Sequence, residues 1–213
     1  MTSPSEKVYQ TIRNRILNQE YVPSQTLVES TLAEEFGVSR NTVRKAIMQL
    51  INEKLVKSEA NKSAVVKFLS KEEALDLMEI RERLEGLIAY STAKIIKKED
   101  VKKIRCILDE MKELLTKGKY LEYSAKNDLI HNIIDELCPN KEAIALIESI
   151  RLQLRSYNKR TILITGRGEE SYKEHIELLN AFEVNDPEKS EIIMREHMKN
   201  VRKTLKENYD MLF

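Results

Sequence analysis

Residues 27–56 read LVESTLAEEFGVSRNTVRKAIMQLINEKLV, and their spacings describe two short helices meeting at a glycine. The first runs through Leu32 and Ala33, where the small Ala33 side chain lets a second helix approach closely. Gly37 supplies the left-handed residue that ends it, and Val38 fills the corner between the two. Ser39 is placed to cap the second helix, whose apolar face is Val43, Ile47, Leu50 and Ile51. Helix, tight glycine turn, helix is the helix-turn-helix plan, in which the start of the second helix meets the major groove of DNA.

Upstream, Val8, Ile12 and Ile16 recur every four residues, one face of a helix that closes before Pro23. Downstream, the β-prone runs LVKS (55–58) and AVVKF (64–68) flank residues 59–63 and predict a hairpin wing, with Lys62 at its tip beside the phosphates. The recognition helix offers Ser39, Arg40, Asn41, Thr42, Arg44 and Lys45 as candidate DNA contacts. Arginine can reach guanine O6 and N7 with two hydrogen bonds; Asn41, Thr42 and Lys45 can read a base or hold a phosphate. Residues 1–69 carry 10 Lys and Arg against 7 Asp and Glu, whereas residues 70–213 carry 26 against 28. The first segment is therefore the basic one, although three extra positive charges are only a weak sign of a polyanion partner, since surface charges are usually a solvated face.

Composition removes several function classes. With only 5 Gly, 4 Pro and no Trp in 213 residues, there is no glycine-rich phosphate loop, no G-x-S-x-G elbow and too few turns for an all-β sandwich. Cys106 and Cys138 are far apart and form no C-x-x-C, which predicts a protein of the reducing cytoplasm. No apolar run reaches the ~18 residues that span a bilayer, so no membrane partner is expected.

From Ser70 the pattern is helical throughout. Ser70-Lys71-Glu72-Glu73 has the form of a capping box opening a long helix through Leu77, Arg81, Leu84 and Ile88. Val101, Ile104, Leu108, Met111 and Leu115 mark the next, which stops at Gly118. Further helices are expected at about 120–137, 141–160, 169–184 and 187–208. The fold class is mainly α, a winged helix-turn-helix over 1–69 followed by an antiparallel all-helical bundle over 72–213.

The chain has three histidines, His131, His175 and His197, on three of these helices. Each has apolar neighbours three or four residues away, so each faces inward. Taken singly, a buried histidine is a hydrogen-bonded core residue; three of three facing one core also fit a shared metal. Asn127 and Asp128, four and three residues before His131, are alternative oxygen donors. Zn²⁺, Ni²⁺ and Mn²⁺ are not distinguishable, because imidazole suits several divalent ions.

LAEEFGVSRNTVRKAIMQL resembles the signature of the GntR family of bacterial transcription regulators, and residues 5–68 share the resemblance. The chain departs from it at Thr42, where the FadR-like branch has Pro, and at Lys54 and Ser63, where the family has Gly. Residues 72–210 resemble the FCD ligand-binding domain of that branch. The family pattern D-x-x-F-H, E-H-x-x-L-L-x-A and M-x-x-H corresponds to Asn127–His131, Glu174–Ala181 and Met194–His197. All three histidines match family metal-ligand positions, while Asn127 stands where the family has its Asp ligand. The family's R-x-x-x-E is present as Arg81 and Glu85. Arg81 is a candidate anchor for an effector carboxylate, or equally an ion-pair partner of Glu85 at i+4. The resemblance implies a homodimer binding operator DNA, and two-fold pairing doubles the few base pairs one helix can read.

An enzyme, such as a metallohydrolase fused to a DNA-binding module, is the alternative. Metal-bound water needs a base within reach; Glu174 is expected to point to a different helix face from His175, and no H-E-x-x-H occurs. The expectation is a regulator without catalytic residues. A metal-free dimerisation bundle is the third reading.

Overall fold

The computed structural model describes residues 3–18, 20–58 and 63–212, and the chain divides into two compact units, one up to Ser70 and one from Lys71. In the first, α1 (Pro4–Leu17) starts with Ser3 Oγ accepting from the Glu6 amide at 3.2 Å and proline at its first turn. Val8, Tyr9, Ile12 and Leu17 are its buried residues, and Ile16 is only half-buried. Next come β1 (Thr26–Leu27), α2 (Glu29–Phe36), α3 (Arg40–Asn52), β2 (Val56–Lys57) and β3 (Ala64–Val66). Gly37, at φ 63°, closes α2 as expected, with Val38 N donating to Ala33 O at 3.0 Å.

The wing is shorter than expected and has one more strand. The strands are antiparallel in the order β1-β3-β2, with Thr26 opposite Val65 and Val56 opposite Val66. β1 escaped the sequence reading because two residues are too few to show a period of two. Behind the helices and wing lie Ile12, Leu32, Val43, Ile47, Leu50 and Val66, all buried. At the far end of α3, Glu53 accepts from Tyr9 Oη and from Arg13 Nε, the latter at 3.0 Å, and so fastens α1 to α3.

The second unit has six helices among its described residues: α4 (Lys71–Ala93), α5 (Lys98–Thr116), α6 (Tyr120–Leu137), α7 (Lys141–Thr161), α8 (Arg167–Glu183) and α9 (Pro187–Leu212). Caps place the boundaries. Asn140 Oδ1 accepts from the Ala143 amide at 3.0 Å, and Asp186 Oδ1 from the Lys189 amide at 3.0 Å just before Pro187. The turn between α8 and α9 is made by Asn185 at φ 49°, whose Nδ2 donates to the carbonyls of Ala93 and Ile96 at 2.9 and 3.1 Å. The core includes Ile88, Ile104, Leu108, Met111, Tyr123, Ile134, Ile147, Leu179, Phe182 and Met194, interleaved from all six helices. Among the described residues no helix is long and apolar enough to cross a membrane.

Candidate metal centre and nucleic-acid interface

The start of α3 presents Arg40, Asn41, Arg44 and Lys45 to solvent. Ser39 and Thr42 are occupied locally: Ser39 Oγ accepts from the Thr42 amide at 3.1 Å and lies 2.9 Å from Thr42 Oγ1. Arg44 holds Glu29 of α2 with two bonds, Nε to Oε1 at 3.0 Å and Nη2 to Oε2 at 2.8 Å. Lys62, the expected wing-tip contact, lies outside the described residues.

His131 on α6, His175 on α8 and His197 on α9 converge, each buried, with one ligand atom apiece within 4.8 Å of the others. Their ring centroids are 4.7–6.1 Å apart. Period and capping turn each imidazole inward, and the three helices bring them to one place.

Two outer nitrogens have acceptors, and a carboxylate borders the third without a hydrogen bond. His175 Nδ1 lies 2.6 Å from Ser171 O, His197 Nδ1 is bonded to Glu174 Oε2, and His131 Nδ1 lies 3.4 Å from Glu85 Oε2. Both nitrogens of His131 and Nε2 of His175 are buried without a hydrogen-bond partner. Burial and the other two imidazoles push His175 well below its usual range; burial also lowers His197, with Glu174 opposing. One ligand nitrogen from each ring lies close to the others, with acceptors behind His175 and His197, which is the donor set a divalent ion takes. Three buried imidazoles close together, two of them with orphaned nitrogens, fit such an ion. A hydrocarbon-like core would not tolerate them unpartnered.

Two carboxylates border the trio. Glu85, on α4, is buried and accepts from Arg81 Nε at 2.9 Å and from Arg151 Nε and Nη2 at 2.9 and 2.6 Å. Burial alone would raise the Glu85 carboxyl; Arg151, His131 and Arg81 outweigh it and hold it well below the usual range. Arg151 also bonds Asp135, joining α4, α6 and α7. Arg81 is thus in the ion pair with Glu85 that its i+4 spacing allowed, close to the trio and buried.

Glu174 has a role that the sequence did not show. It does leave α8 on a different face from His175, yet that face packs on α9. There it bonds His197, accepts from Arg167 Nη2 at 2.7 Å and from Asn200 Nδ2 at 2.8 Å. Against the burial that would raise it, His197 and Arg167 hold its carboxyl at about 2. Asp128 is exposed and its carboxylate lies outside the close histidine group; Asn127 is half-buried one turn before His131. Glu85 and Glu174 had adjacent signals in R-x-x-x-E and Glu-His. Arg151 and Arg167 had none, since their partners come from distant sequence.

Residues 4–66 match the bacterial regulatory proteins of the gntR family, and residues 76–200 match the FCD domain. The chain belongs to the GntR family, in its FCD-domain branch. A similar protein is the Uxu operon regulator of Haemophilus influenzae, 28% identical over 86% of this chain and 74% of that protein. The transcriptional repressor GlaR of Escherichia coli is 23% identical over 93% of this chain and 94% of its own length. The fold is shared with the solved Escherichia coli McbR/YncC, at a TM-score of 0.77 and 18% identity over 98% of this chain and 100% of that one. A Rhodococcus GntR regulator matches at a TM-score of 0.69 and 18% identity, over 95% and 97% of the two chains. This GntR-family member is accordingly a bacterial transcription regulator with an FCD effector-binding domain, and not an enzyme. The metallohydrolase alternative falls with that finding.

Proposed function

We propose that the chain is a cytoplasmic homodimer that binds operator DNA through the start of α3, and that a small carboxylate effector beside a divalent ion controls that binding. Residues 1–69 form the DNA-binding domain and residues 72–213 the sensing domain in this reading. The sensing half is carried by one observation: three buried imidazoles with ligand atoms within 4.8 Å of one another, of which both nitrogens of His131 and Nε2 of His175 have no hydrogen-bond partner. The DNA-binding half is supported by the exposed Arg40, Asn41, Arg44 and Lys45, with Lys62 as the phosphate contact of the wing.

His131, His175 and His197 would hold the ion, with Asn127 as a neutral oxygen donor in place of a carboxylate. A bound divalent ion supplies positive charge with room for an anionic oxygen ligand. Ser171 and Glu174 turn the rings of His175 and His197 and fix their tautomers, while Glu85 borders His131. Arg81 binds the effector carboxylate by exchanging its bond to Glu85, a trade of one carboxylate for another that costs little charge separation. Because Arg151 links Glu85 to Asp135, such an exchange is felt by α4, α6 and α7 together.

The test is calorimetric titration of Zn²⁺, Ni²⁺ and Mn²⁺ into chelator-treated protein, with Asn127→Asp alongside. Binding at one ion per chain, tighter in the variant, is the expected result. No binding with or without added carboxylates would leave a metal-free dimerisation bundle. For the DNA half, Arg44→Ala is expected to lose roughly 1–3 kcal/mol of operator binding in a gel-shift titration. Unchanged affinity would remove the assignment. Lys62→Ala should flatten the salt dependence for any duplex.

A further inference from the structure

Glu29 and Arg44 tie α2 to the exposed start of α3 with a geometry that bears on base reading. A guanidinium has two edges with paired donors, one made by Nε and Nη2 and one by Nη1 and Nη2. Glu29 occupies the first, at 3.0 and 2.8 Å, through both of its oxygens. The second edge carries the two parallel N–H groups that match guanine O6 and N7, and it is left free. Arg44 is otherwise open, with 62% of its side chain exposed, while Glu29 is half as exposed at 32%. A long side chain so exposed would sample many rotamers; two bonds to a carboxylate on a separate helix remove most of that freedom.

Glu29 is also the first residue of α2, where a carboxylate is favoured by the helix dipole alone. That effect needs no bond to Arg44. The observed pairing holds both partners in their charged forms, with the hydrogen bond to Arg44 the main cause of Glu29's lowered carboxyl.

We infer that Glu29 is a positioning residue for sequence discrimination: it grips the Nε edge of Arg44 and aims the Nη1/Nη2 edge at one guanine in each half-site. The inference rests on the DNA-binding reading above. It separates specificity from affinity, because a carboxylate near the phosphates opposes binding of any duplex while sharpening the choice among them. Lysine at 44 cannot do the same, having no second edge to give away.

The experiment is selection of duplexes from a random library by the parent, Glu29→Gln, Arg44→Lys and the double variant, followed by sequencing and by titration of the parent's selected duplex and a scrambled one. Glu29→Gln and Arg44→Lys should lose preference at the same guanine, by roughly ten-fold. Glu29→Gln should bind the scrambled duplex at least as well as the parent does, and the double variant should discriminate no worse than Arg44→Lys alone. Melting of each variant reports any stability role of Glu29, which would not move a base preference. An unchanged Glu29→Gln motif, or a loss at a different base pair, overturns the inference. If Glu29→Gln does not fold, Arg44→Lys with its motif intact overturns it equally. If the parent selects no motif at all, the DNA-binding reading itself has failed.

Discussion

Lys54 sits at φ 60°, a left-handed conformation an L side chain adopts only at a cost. It is held there by the turn that ends α3, with Lys54 N donating to Ile51 O at 2.9 Å and Leu55 N to Leu50 O at 3.0 Å. Lys54→Gly is therefore expected to stabilise the chain by about 0.5–1 kcal/mol in urea denaturation, strain relief exceeding the extra freedom of the unfolded chain. Tyr9 presents the opposite situation, a polar group whose burial and bond to Glu53 push its hydroxyl up to about 12. A folded value above the unfolded one near 10 means that its contribution is full below pH 10 and lost as pH rises from 10 to 12. Melting followed across that window should fall more steeply for the parent than for Tyr9→Phe. Glu85 is the residue with most at stake, since Glu85→Gln leaves the buried Arg81 beside an uncharged amide and Arg151 with Asp135 as its remaining carboxylate. A loss of about 3–5 kcal/mol in urea denaturation is expected, as for one partner removed from a buried ion pair.

Element by element, what the sequence showed depended on how local the cause was. Helix α3 was legible in advance because Gly37, Ser39 and the apolar spacing from Val43 to Leu50 all act within it. The end of α6 and the start of α9 were legible for the same reason, with Pro139 and Asp186-Pro187 as their punctuation, while α9 runs on to Leu212, past the expected end near 208. Helix α4 was legible as a helix and not as a partner. Its Gly86 leaves a surface on which Arg195 of α9 lies so closely that an added Cβ would come within 2.5 Å of Arg195 Cγ and 2.9 Å of Cδ. Gly86→Ala gains about 1 kcal/mol of helix propensity and must displace the Arg195 stem from beside Glu82. A net loss of about 1–2 kcal/mol in thermal melting is expected, from overpacking between two long helices. A gain would mean that the stem moves freely.

For the whole molecule, three histidines at positions 131, 175 and 197 come from helices tens of residues apart, and only their packing decides whether they are three core residues or one site. If they hold an ion, a chelator should lower the melting temperature of the parent, and adding Zn²⁺ at 100 times its dissociation constant should restore about 2.7 kcal/mol. His175→Phe should abolish that dependence. Period, caps and glycine positions acted through neighbours in the chain, so the sequence by itself determined the helices, the faces they bury and the winged helix-turn-helix plan. Which face of one helix meets which residue of another is a matter of packing geometry that no local pattern encodes. Tertiary structure alone therefore decided that Glu174 reaches His197, that Arg151 answers Glu85, and that Glu29 takes hold of Arg44, because each of those pairs joins side chains whose only relation is that two helices pack together.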